Sequence, residues 1–130
     1  MKRNLLCLVL WMSIFCLTTL AQPSLQWDKN YNGPINGTDR ITDSDFDPIT
    51  GNIYVTGVSD SSSGYNYVTI KYSSEGDVIW RKRFTGPQNQ DSPNAIKYDP
   101  VNNAVYVTGK SRNSNSDFDW LTIRYNATTG

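Results

Sequence analysis

The sequence predicts an all-β protein built from two copies of one antiparallel unit. Three observations predict it. Tyr54-Val55-Thr56-Gly57 recurs as Tyr106-Val107-Thr108-Gly109, and Trp27 recurs as Trp80, 53 positions on. Short runs of β-branched and aromatic residues alternate with clusters of Asn, Asp, Ser and Gly, the pattern of strands and turns. After residue 21 no stretch spaces its apolar residues at the 3.6-residue period of a helix.

The first element stands apart. Lys2 and Arg3 precede an apolar run from Leu5 to Leu20, and Thr19-Leu20-Ala21 sets small or polar side chains before a cut at Gln22. This is the layout of a secretory signal peptide over residues 1–21. The run is short for a membrane span and is diluted by Ser13, Thr18 and Thr19, so no span is expected in the mature chain. Both cysteines, Cys7 and Cys16, lie inside this segment, and the chain has no histidine. An exported chain without cysteine is held by packing or association rather than by disulfides. With Lys2 and Arg3 removed, 10 basic residues face 12 acidic ones, a net charge of −2. That balance points away from nucleic acid and anionic membrane surfaces. Arg81-Lys82-Arg83 is the one basic cluster, and alternation along a strand makes it a solvated edge.

The repeat runs through the rest of the chain. Tyr31-Asn32-Gly33-Pro34 returns as Phe84-Thr85-Gly86-Pro87 and Asn36 as Asn89, still 53 positions on. The offset falls to 52 for Asp47-Pro48-Ile49 and Asp99-Pro100-Val101. It returns to 53 where Tyr65-Asn66-Tyr67-Val68-Thr69-Ile70-Lys71-Tyr72 becomes Phe118-Asp119-Trp120-Leu121-Thr122-Ile123-Arg124-Tyr125. Both length changes fall in Asn/Asp/Ser-rich stretches, where loops tolerate them. The domain reading is residues 22–79 as a linker plus the first repeat, and 80–130 as a second repeat truncated at its C-terminus.

The first unit reads as strands near residues 40–46, 53–58, 67–72 and 78–84. Asp47-Pro48-Ile49-Thr50-Gly51-Asn52 is a turn in which Pro48 presets one dihedral and Gly51 supplies a positive one. Ser73-Ser74-Glu75-Gly76-Asp77 is the next. The second unit gives strands near 95–98, 105–110 and 120–125, with the fourth missing. Val68, Ile70 and Tyr72 alternate with Tyr67, Thr69 and Lys71, so both faces carry bulk; a half-wet sheet alternates more cleanly. Four-stranded antiparallel units at a period near 50, packed on both faces, are blades of a β-propeller. The expected architecture is therefore about two blades of an incomplete propeller.

Trp27, Tyr31–Gly37, Asp47–Gly57, Tyr65–Gly76 and Trp80 together resemble the SBBP (seven-bladed beta-propeller) repeat family. The second unit matches from Trp80 to Tyr125 and departs at Asn102-Asn103-Ala104, where the family has Gly-Asn. The resemblance implies an exported or cell-surface bacterial protein, here apparently a fragment. It implies no catalytic residue, because the family is defined by blade packing.

Three sets of residues are weighed as sites. Asp43, Asp45 and Asp47, at alternate positions, are calcium candidates, although Pro48 and Tyr54 stand where a calcium loop needs Gly and Glu. Their counterparts Ala95 and Lys97 show that the first two are not part of the repeat. Asp117 and Asp119 flank Phe118 and form the one carboxylate pair to consider for glycoside hydrolysis. Trp27, Trp80 and Trp120 are candidate sugar-stacking platforms, set against the alternative that they fill the space between blades. Without histidine there is no Ser-His-Asp triad. No cofactor is expected beyond calcium at those aspartates.

The expected function is a non-enzymatic, secreted or cell-surface scaffold or binding module. Its expected partners are further blades, in a longer chain or by oligomerisation, together with carbohydrate or another surface protein. One alternative is a lectin-like propeller assembled by oligomerisation. Another is the remnant of a propeller-fold hydrolase or lyase.

Overall fold

A computed structural model describes residues 24–130, so the signal peptide expected over residues 1–21 lies outside the described residues. Seven strands follow: β1 (Asp39–Phe46), β2 (Ile53–Ser61), β3 (Gly64–Tyr72), β4 (Val78–Phe84), β5 (Asp91–Asp99), β6 (Ala104–Arg112) and β7 (Phe118–Asn126). They form two antiparallel sheets, β1-β2-β3-β4 and β5-β6-β7. Among the described residues there is no helix, and hence none long and apolar enough to cross a membrane. The fold is all-β, as the pattern predicts.

Each expected strand is present, and several run further than their apolar residues show. The hairpins zip up to Ser61 opposite Gly64 and Arg112 opposite Phe118, beyond the last β-branched pair. β5 starts at Asp91 and passes through Pro93, where the register shifts before Ala95. A bulge is one of the few places where a strand tolerates proline. β1 carries the same shift between Ile41 and Asp43.

The repeated glycines face these bulges. Gly57 pairs with Ile41 and Gly109 with Pro93. A Cβ on Gly57 would strike the Arg40 carbonyl, and one on Gly109 the Ser92 carbonyl. The bulge presses the inner strand onto β2 or β6, and only glycine leaves room. In the turn after β1, Gly51 has φ 72° and its amide donates to the Asp47 carbonyl at 2.8 Å. Asn103 holds the equivalent place at φ 46°, consistent with the tolerance of asparagine for left-handed backbone.

The sheets stack face to face. Tyr54, Tyr67 and Trp80 of the first meet Ile96, Val105, Val107 and Ala127 of the second half in one buried cluster. A smaller cluster, Val68, Ile70 and Tyr72 with Tyr31 and Val55, lies on the far side of the first sheet. β3 is therefore buried on both faces. The repeat and the sheet are out of phase by one strand: the repeat begins at Trp80, while β4, which carries Trp80, completes the first sheet.

Candidate functional site: the blade faces

The side chains that hold the junction belong to the repeat. Tyr54 stacks on Tyr98 with ring centroids 5.0 Å apart and touches Trp80 at 6.1 Å, and Trp80 leans on Tyr125 at 6.0 Å. Each such pair adds about 0.5–1.5 kcal/mol beyond its buried area. The Ala127 carbonyl accepts twice across the junction, from Lys71 Nζ at 2.8 Å and from Trp80 Nε1 at 3.2 Å. Burial pushes the Lys71 amine below its ordinary pKa, against the pull of the Asp47 carboxylate. Burial also pushes the phenols of Tyr54 and Tyr67 up to about 12.

The calcium candidates are placed by this junction. Asp43 Oδ2 accepts the Ile96 N–H and Asp45 Oδ2 the Tyr98 N–H, both at 2.8 Å. Two carboxylates on β1 thus satisfy the outward amides of β5, which is an edge strand of its sheet. For Asp45, burial pulls the pKa up, but the Tyr98 N–H and the Lys97 ammonium outweigh it and hold the group below its ordinary value. Asp47 turns into its own loop, accepting from Thr50 Oγ1 at 2.6 Å and Ile49 N at 2.9 Å, and these bonds lower its pKa. The three carboxylates do not converge. Among the described residues no three of His, Cys, Asp or Glu gather closely enough to hold an ion.

The other sequence candidates are scattered. Trp80 is 8% exposed inside the junction, Trp27 lies on the far face of the first sheet, and Trp120 is 97% exposed on the far face of the second. Asp117 sits in the turn before β7 and Asp119 on β7, where Asn113 Nδ2 donates to it at 2.8 Å. Asp117 and Asp119 are both exposed. The basic cluster is only partly a solvated edge. Arg83 reaches inward to Ser59 Oγ at 2.5 Å and Tyr31 Oη at 3.3 Å, and Arg81 lies 5.4 Å from the Tyr31 ring.

Among the described residues two open faces remain, one at each end of the stack. On the first sheet, a groove of about 570 Å³ runs beside the segment carrying Trp27 and Tyr31. Ile41, Val55, Val58, Val68, Ile70 and Tyr72 line it. On the second sheet, Tyr106, Thr108, Trp120, Thr122 and Arg124 face outward. Sequence reasoning singled out only Trp120 here. The signal for the others was the alternation along β7 read against β3, because these five correspond to Tyr54, Thr56, Tyr67, Thr69 and Lys71.

Stacked antiparallel sheets whose inner strands are bridged and whose outer strand carries the junction tryptophan define blades of a β-propeller. Residues 79–119 match the family model of the SBBP beta-propeller repeat, which places that repeat on the stretch from β4 into the start of β7. No curated protein matches the chain.

Proposed function

We propose that the protein is an exported, non-enzymatic propeller module that works as a scaffold or binding surface at or outside the cell envelope. One observation carries this reading. The side chains best suited to chemistry or ligand capture are already engaged between blades: Asp43 and Asp45 bond the β5 backbone, and Trp80 fills the junction. What remains for partners is the pair of open faces, apolar on the first sheet and mixed on the second, where Tyr106 and Trp120 stand among Thr108, Thr122 and Arg124. Export follows from the layout of residues 1–21, and calcium plays no part in this reading.

A fusion of residues 1–30 to a reporter active only outside the cytoplasm tests export; a silent reporter overturns it. Pull-down of envelope components by the full chain, compared with the Trp120→Lys variant, tests the binding role. Capture of the same components by both leaves the open face without a function.

A carbohydrate-binding reading has its own support. Phe118 and Trp120 lie on one face of β7, 51% and 97% exposed, and paired aromatic rings suit sugar stacking. Titration of oligosaccharides while following Trp fluorescence separates the two readings, since a scaffold face gives no saturable shift.

A further inference from the structure

Beyond the two open faces, the rim of the stack offers a further surface. Where the starts of β1 and β3 meet the start of β5, a cleft of about 570 Å³ opens between the blades. That size suits a small ligand, whose sites span roughly 300–1,000 Å³. The blades are held in place beside it. Tyr65 bridges Gln90 of the second unit, and a Cβ on Gly64 would strike the Asn89 carbonyl. The walls come from the same positions of both repeats: Arg40 and Ser92, Val58 and Lys110, Tyr65 and Phe118. With the second blade stacked on its face, Tyr65 keeps 49% exposure, and Phe118 has 51%. The opening at this position is therefore a property of the rim, whatever stacks on the blade.

The chemistry of these walls departs from the repeat. Arg40 stands where the second unit has Ser92, and Lys110 where the first has Val58. Each blade thus brings one cation, at a different place. Among the described residues the one ion pair joins Lys97 to Asp45, so Arg40 and Lys110 carry unpaired charge. Lys110 Nζ lies 4.7 Å from the centre of the Phe118 ring, a cation–π contact that holds the ammonium beside the cleft. Negative charge is present but engaged. Asp91, 1% exposed, accepts from the Gly86 N–H at 2.7 Å and from Ser111 Oγ at 2.6 Å. The nearby Asp60 Oδ2 accepts from the Thr38 N–H at 3.3 Å. Arg112 is likewise occupied, donating to Gln90 Oε1 and to the Ser116 carbonyl, both at 2.9 Å. The charged donors left free at this rim are those of Arg40 and Lys110.

We propose that this cleft binds an oligosaccharide bearing uronic acids, with Arg40 and Lys110 on its carboxylates and Tyr65 against a sugar ring. A guanidinium takes a carboxylate through two parallel N–H donors, and an ammonium takes one as a point charge. These groups recognise the acid and leave the rest of the sugar to be held otherwise. The exposed Tyr65 ring offers a face to the C–H side of a pyranose, and the Ser92 hydroxyl lies within the same walls for its hydroxyls. An acidic peptide would match the cations alone. Trp120 does not line this cleft, so the site is distinct from the paired rings on the face of β7.

This inference rests on the binding-module reading. Calorimetric titration of the full mature chain with a galacturonate trimer, a neutral galactose trimer and a tri-aspartate peptide tests it. The acidic sugar should bind with a dissociation constant below about 1 mM, and the other two at least about 10-fold more weakly. Raising salt from about 0.05 M to about 0.5 M should weaken the acidic sugar, since exposed charges are screened. Arg40→Ser and Lys110→Val each install the residue of the other repeat at an exposed position, so the fold should survive. Each should lower affinity for the acidic sugar about 10-fold, the effect of one charge-assisted hydrogen bond. Tyr65→Ala should lower it as well. Absence of binding by the acidic sugar overturns the proposal. So does equal binding of the neutral sugar or the peptide, or indifference to both cation variants. A chain that captures envelope components yet fails this titration keeps the module reading while the site fails; one that binds galacturonate through Arg40 and Lys110 yet captures nothing does the reverse.

Discussion

The two blades are written in nearly the same residues and are buried very differently. β3 is enclosed on both faces, whereas its repeat β7 turns Trp120, Thr122 and Arg124 to solvent. Tyr67 is 0% exposed and its counterpart Trp120 is 97% exposed. Thr56 and Thr69 share a buried hydroxyl contact at 3.3 Å, and Thr108 and Thr122 make the same contact at 3.1 Å in the open. Local conformation is thus a property of the repeat, and burial a property of the neighbour. This is the behaviour of stacked repeats, whose stability is a sum of unit and nearest-neighbour terms. The same residue type should therefore carry very different energies in the two blades.

The largest difference should come from the tryptophans. Trp80→Ala empties the junction between Tyr54, Tyr125 and Ala127 and should lower unfolding stability by about 3–5 kcal/mol. Trp120→Ala removes an exposed ring and should stay within about 0.5 kcal/mol. Urea unfolding at a concentration low enough to keep chains apart measures both. Equal costs would mean that the two sheets do not stack as described.

The glycines facing the bulges come next. Gly109→Ala drives a methyl into the Ser92 carbonyl and the Tyr67 hydroxyl that arrives from the other blade. For Gly57→Ala the nearest atoms all belong to the inner strand of its own blade, beside the open groove. Both substitutions overpack, at roughly 1–3 kcal/mol, and Gly109 should be the more costly. Thermal unfolding of the two variants ranks them, and the reverse order would place the neighbouring blade elsewhere.

Much of this contrast could be read in advance and part could not. The strands, the turns at Gly51 and Gly76 and the two-sided packing of β3 followed from β-branched runs, turn residues and alternation. The extra length of β5 did not, because Pro93 and the polar Asp91 and Ser92 read as loop until the bulge accounts for them. The role of Asp43 and Asp45 was also hidden. Alternate carboxylates look like a cation site, and the amides they satisfy lie 53 residues away on another sheet. The recurrence of Trp27 was plain in the sequence. That its ring bonds the Ser74 carbonyl and packs on Tyr72, as Trp80 does with Ala127 and Tyr125, is visible only in the structure.

The smallest expected effect separates Asp45 from its counterpart Lys97 and appears in acid. The pKa of Asp45 is depressed in the folded chain, where Tyr98 N–H and Lys97 outweigh burial. A group of this kind contributes stability above its unfolded pKa, near 3.9 on average for aspartate. That contribution fades as pH falls through the lower folded value, because the unfolded chain then binds the proton more readily. Asp45→Asn should cost about 1.5–3 kcal/mol at neutral pH, the range for a hydrogen bond to a charged group. The difference from the parent chain should shrink below about pH 4, where the parent loses the same charge. Lys97→Met should move this acid limb far less, since Lys97 is 79% exposed and its 3.1 Å contact with Asp45 is screened by water. Urea midpoints between about pH 2.5 and about pH 7 follow both variants across that window. A Lys97 effect as large as that of Asp45 would mean that the surface ion pair, and not the carboxylate-to-amide bond across the junction, joins the inner strands of the two blades.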